Sequence, residues 1–185
     1  MKTIYLYFII LFMGFGTLYG QDQELSEEQY AILNLELIDG LVYEQTIFAF
    51  YWHNYLTSEW LGEQNGTCNQ GNNSFKTSEI SKHIEEETLI KLKNSLKNES
   101  KARVLSPHML LSDQVKLVSD YGSIDVRRVS SPVIEGDIAI LIIKEKGVWI
   151  EKINFYKKNN KGIWEKFCGV DILESTGTKG ISYLN

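Results

Sequence analysis

The sequence predicts an α+β fold, with an N-terminal helix and an antiparallel sheet of about five strands covered on one face by helices. Three observations lead there. A well-punctuated helical segment lies at residues 26–40. A β-branched and aromatic run spans Val42–Tyr55. Four closely spaced apolar runs then fill residues 122–173, joined by connections too short for anything but antiparallel neighbours.

The chain has 185 residues, enough for one domain. Its first twenty, MKTIYLYFIILFMGFGTLYG, carry Lys2 as their only charge, then the apolar run Ile4–Phe15, then small residues up to Gly20. That is the three-part pattern of a secretory signal peptide, with cleavage expected after Gly20 although Leu18 suits the cut poorly. The run is shorter than the ~20 apolar residues of a spanning helix, and no second long apolar segment follows. The expected organisation is a signal peptide over 1–20, a single α+β domain over 21–175 and a flexible tail over 176–185. The expected location is outside the cytoplasm, periplasmic or secreted, with no stable membrane insertion once the signal is removed.

Residues 21–185 hold 18 Lys and Arg against 24 Asp and Glu, a net charge of −6. An acidic surface repels phosphate backbones. Arg103, Arg127 and Arg128 are the only arginines, and no basic cluster alternates with aromatics, so nucleic acid is not an expected partner. Two cysteines, Cys68 and Cys168, permit one disulfide in an exported chain. Two unrelated buried thiols are the alternative.

Along the mature chain, Ser26 with Gln29 forms a capping-box pattern, Leu25 and Tyr30 occupy staple positions, and Glu27 and Glu28 suit the helix dipole. Tyr30, Leu33 and Leu37 recur at helical spacing, and Gly40 is placed to end the helix. Val42–Tyr55 reads as a strand whose alternation puts Phe48, Phe50 and Trp52 on a core face. The same alternation puts Ile47, Ala49, Tyr51, His53 and Tyr55 on the other. Residues 57–76, rich in Gly, Asn, Gln and Ser, read as a long loop with a turn at Asn65-Gly66. Asn65, Asn72 and Asn98 each open a glycosylation triplet. One kinked helix or two short ones is expected over about 79–98, with Leu89, Leu92 and Leu96 inward. Glu85, Glu86 and Glu87 diverge around a helix and cannot converge on one ion. Ser112 is expected to cap a short helix over Asp113–Ser119.

The C-terminal meander is expected as Ile124–Val129, Ile138–Lys144, Val148–Lys157 and Trp164–Ile172. Turns are expected at Lys146-Gly147 and Asn159–Gly162, with a bulge near Glu151 where the apolar phase switches. The general shape implied is cystatin/NTF2-like.

Val129, Ser130, Val133, Ala139–Ile142, Phe155, Tyr156, Gly162 and Trp164 carry a resemblance over about residues 120–172. The stretch VRRVSSPVIEGDIAILII followed by KKNNKGIW resembles a family of uncharacterised exported bacterial proteins with a C-terminal antiparallel meander. Members usually have a longer, glycine-rich connector where this chain has Glu145-Lys146-Gly147. The resemblance implies export and a fold, and it is silent on chemistry.

No nucleophile motif, dinucleotide fingerprint, phosphate loop or zinc-ligand spacing occurs, so no cofactor or metal is expected and no catalytic residue is assigned. The candidate ligand-binding residues are Tyr51, His53, Tyr55 and Trp60, because tyrosine and tryptophan give contact area at low entropic cost. The leading expectation is a non-catalytic binding domain for a protein, peptide or glycan. The alternative is a small hydrolase with His53 as base, oriented by Glu44 or Glu59.

Overall fold

The computed structural model describes residues 24–64, 67–70, 73–120, 125–144 and 150–173. The expected signal peptide and tail lie outside these residues, as do the turns at Asn65-Gly66 and Lys146-Gly147. Among the described residues no helix is long and apolar enough to cross a membrane.

The fold is α+β. Helix α1 (Glu27–Glu36) starts as the sequence predicts. The Ser26 hydroxyl accepts from the Gln29 amide at 3.2 Å, and the Gln29 side chain accepts from the Ser26 amide at 2.9 Å. Leu25 and Tyr30 are both buried, as a staple requires. Strand β1 (Gly40–Tyr43) follows, entered through Gly40 at φ 86°, a left-handed conformation that glycine adopts without steric cost. Next come helix α2 (Ser58–Gly62), the hairpin β2 (Thr67–Gln70) and β3 (Asn73–Lys76), and helix α3 (Glu86–Asn98). The last strands are β4 (Val115–Val118), β5 (Arg128–Val129), β6 (Val133–Glu135), β7 (Ile138–Lys144), β8 (Ile150–Lys158) and β9 (Trp164–Leu173).

The main sheet runs β5–β7–β8–β9, all antiparallel, with β6 beside the other half of β7. Strand β1 lies parallel to β4. The chain running on from β1 also reaches β5, since the Tyr43 amide donates to the Arg127 carbonyl at 2.9 Å and the Ile47 amide to that of Val129 at 2.8 Å.

The expected cover on one face is corrected to cover on both. Strand β7 is buried along nearly its whole length. Ile138, Ile140 and Ile142 enter a core with Leu89, Leu92 and Leu96 of α3. Ala139, Leu141 and Ile143 enter a second core with Tyr30, Ile32 and Leu33 of α1. An unbroken aliphatic strand is what two-sided burial demands. The one-faced cystatin/NTF2-like outline therefore does not describe how the sheet is covered.

Helix α1 is held by specific bonds as well as by area. The Asn34 amide donates to the Met109 carbonyl at 3.0 Å, and the Ser106 amide donates to the Tyr30 hydroxyl at 2.6 Å. The Tyr156 hydroxyl donates to Glu36 Oε1 at 2.7 Å. Burial pushes the Tyr156 phenol far above its usual value of 10.0, and the adjacent Glu36 carboxylate pushes the same way. The folded state thus holds this proton more tightly than the unfolded chain does. Its stabilisation is whole below pH ~10 and is lost as pH rises above it, at about 1.4 kcal/mol per pH unit. Tyr156→Phe should therefore lose stability less steeply than the wild type above pH ~10, as read by urea denaturation across that range.

Other expectations change for local reasons. Ladder pairing of the Val42–Tyr55 segment ends at Tyr43, leaving only bridges at Gln45 and Ile47, and Phe50–Tyr55 winds as a 3₁₀ helix. Ala49, Trp52 and Tyr55 recur at the three-residue period of that helix and turn toward the α3-side core. The described part of 57–76 is not one long loop: Thr57 caps α2 by accepting from the Trp60 amide at 3.1 Å, and β2 pairs with β3. Asp113–Ser119 is not a helix. Val115–Val118 pairs with β1, and the Ser112 hydroxyl donates to the Ile38 carbonyl at 2.5 Å. The bulge falls between Phe155 and Tyr156, opposite Phe167, rather than near Glu151. It inserts Phe167 beside Cys168 in the α3-side core and sends Trp164 to the α1 side, so the expected single face of Trp164, Cys168, Val170 and Ile172 is split. The turn after β8 forms as predicted, with Asn159 Oδ1 accepting from the Lys161 and Ile163 amides and Gly162 at φ 77°.

Candidate functional site

Ala49 is fully buried and small, which lets the 3₁₀ turn begin against the core. Trp52, only 8% exposed, then inserts, and its indole N–H donates to Glu151 Oε2 at 2.8 Å. The other carboxylate oxygen, Oε1, accepts from Lys144 Nζ at 3.1 Å. Lys144 and Glu151 are direct partners across β7 and β8, so the sheet register itself sets this bridge. A buried carboxylate needs partners for its lone pairs; one comes from the sheet and one from the turn. The turn is thereby pinned to the central strands.

Pinning Trp52 displays its neighbours. Tyr51 is 64% exposed and Phe48 is 47% exposed. The Tyr51 ring lies 3.8 Å from that of Phe50, centroid to centroid, and edge-on to Trp52 at 6.2 Å. Rings braced by neighbours lose little further freedom when a partner lands on them. Phe48 and Phe50 were expected inside. Phe48 is instead largely exposed and Phe50 partly so. The three-residue spacing of Ala49, Trp52 and Tyr55 was the available signal for this, and strand-like composition concealed it.

The other candidates separate. Tyr55 and Trp60 meet edge-to-face at 5.1 Å, both half-buried against the α3-side core. They buttress the turn from beneath. His53 Nδ1 is bonded to the Phe50 carbonyl within the same turn. A carbonyl can only accept, so Nδ1 is the donor in this contact. Among the described residues no carboxylate partners this ring, and neither Glu44 nor Glu59 orients it. The base–carboxylate geometry needed by the hydrolase reading is not assembled here.

Below the turn, Cys68 and Cys168 form a disulfide with Cα atoms 4.5 Å apart. It ties β2 to β9 and holds the α2–hairpin segment, with Trp60, against the sheet. Beside it Phe75 stacks on His83 at 3.8 Å and approaches Phe167 at 6.4 Å.

Compared with known families, curated proteins and solved structures, the chain matches none.

Proposed function

We propose that this chain is an exported, non-catalytic binding module whose contact surface is the aromatic turn around Tyr51. The observation that carries the reading is an exposed tyrosine and phenylalanine set on a turn locked by a buried Trp52–Glu151 bond. Exposed aromatics on a rigid support are the usual anchors of protein, peptide and glycan recognition. His53 contributes as a turn-forming residue through its bond to the Phe50 carbonyl, and Tyr55 and Trp60 support the turn.

Export is supported by the signal-like residues 1–20 and, weakly, by the Cys68–Cys168 disulfide. The resemblance to uncharacterised exported bacterial proteins points the same way.

Glycan and peptide arrays probed with the purified protein test the reading. Tyr51→Ala should weaken the ligands that bind at the aromatic turn about thirtyfold, the ~2 kcal/mol of an aromatic hot spot. The variant should keep the wild-type melting temperature, because the side chain is mostly exposed. Unchanged affinity with intact folding would move the contact surface elsewhere.

A further inference from the structure

A second site lies on the opposite face, over β8 and β9 beyond the end of α1. Asn154 is 1% exposed, and neither its carbonyl oxygen nor its amide nitrogen has a hydrogen-bond partner. Native proteins rarely leave a buried amide unused on both ends. Directly across on β9 is Gly169, an exposed residue. A Cβ at Gly169 would stand 2.8 Å from Asn154 Oδ1, so the amide occupies the room that any side chain there would need. The bare glycine and the amide belong together.

Mixed polar groups surround this spot. Lys166 lies alongside, its Cε 3.7 Å from where that Cβ would be, and its ammonium pairs with Glu36 Oε1 at 3.1 Å. Glu36 also takes the Tyr156 hydroxyl. The Asn154 amide is near enough to that phenol to oppose the upward shift of its pKa, although no atom pair reaches hydrogen-bond geometry. On the other side Lys152 approaches Asp171 at 3.8 Å. Two ammonium groups and two carboxylates are thus matched in charge. A charged ligand gains nothing net from such a surface. A neutral ligand that both donates and accepts can use every group on it.

We propose that this face binds a neutral saccharide, its ring over the bare Gly169 and its hydroxyls bonded to Asn154, Glu36 and Lys166. Sugar hydroxyls donate and accept from the same atom, which suits an amide with both ends free and a carboxylate beside an ammonium. The Asn154 amide is buried, and the Lys166 side chain, 41% exposed, lies beside the Gly169 position, so the sugar reaches the amide once this side chain swings outward.

The test is a titration of the purified protein followed by ¹H–¹⁵N NMR. Glucose and N-acetylglucosamine are the neutral probes, and glucuronate is the charged control. Saturable shifts are expected at the Asn154 side-chain amide and the Gly169 main-chain amide with a neutral sugar, and weaker ones with glucuronate. Lys166→Ala, at an exposed side chain, should fold normally and weaken binding about tenfold, the loss of one charge-assisted bond. Asn154→Ala should abolish the Gly169 main-chain shift; if it does not fold, Lys166→Ala decides. Absence of saturable shifts, shifts confined to other residues, equal response to glucuronate, or unchanged affinity in Lys166→Ala would each overturn the proposal.

Discussion

Replacing Cys68 and Cys168 together by alanine is expected to lower the melting temperature by roughly 10 to 20 °C. The bond closes a loop with a sequence separation of 100. On the chain-entropy model such a loop is worth up to about 4.7 kcal/mol, and each kcal/mol moves Tm by about 2 to 4 °C in a domain of this size. Both sulfurs are buried in the α3-side core, so alanine also leaves a small void there. The loss should begin locally. The described residues of 58–82 touch the sheet chiefly through the hairpin and the turn after it, so their amides should exchange faster before the central strands are affected. Calorimetry gives the midpoint and exchange mass spectrometry gives the order of loosening. A midpoint within about 2 °C of the wild type would show that apolar packing alone holds this segment.

Trp52→Ala should cost about 3 to 5 kcal/mol, measured by urea denaturation. The substitution removes a large ring from the core and strands Glu151, which keeps only Lys144. Trp52→Phe should cost less, since a ring remains and only the indole bond is lost, worth about 1.5 to 3 kcal/mol for a bond to a charged group. The two variants separate volume from hydrogen bonding. Equal costs would mean that the bond to Glu151 contributes little. Trp52→Ala should also loosen the turn carrying Tyr51, coupling stability to recognition in a way that Tyr51→Ala does not.

Where sequence and structure agree, the signal is local and doubly specified. Ser26 and Gln29 form both bonds of the capping box, and Asn159–Gly162 forms its turn, because each motif satisfies its own backbone groups within a few residues. The meander was legible for the same reason: β7, β8 and β9 are long, β-branched or aromatic, and joined closely. Where they differ, a distant partner decides. Val115–Val118 has the capping serine of a short helix but finds a strand partner in β1, some 75 residues earlier in register. The Phe167 bulge depends on which core face has room, which no spacing within β9 reveals.

The aromatic stretch is the instructive case. Its composition is that of a strand, and alternation gave Phe48 and Phe50 to the core. A 3₁₀ period instead places Ala49, Trp52 and Tyr55 inward and leaves Phe48 and Tyr51 outward. Glu151 and Lys144, which pin that turn, were invisible as site residues, because their meaning comes only from being opposite each other on β7 and β8. Asn154 was hidden likewise, an ordinary polar residue in a strand until its neighbour proved to be a bare glycine.

The most direct test of the binding-module reading is a paired array profile of wild type and Tyr51→Ala, both shown to be folded by their melting curves. A defined set of wild-type ligands is expected, with signal about thirtyfold lower in the variant. Identical profiles from two equally folded proteins would contradict it.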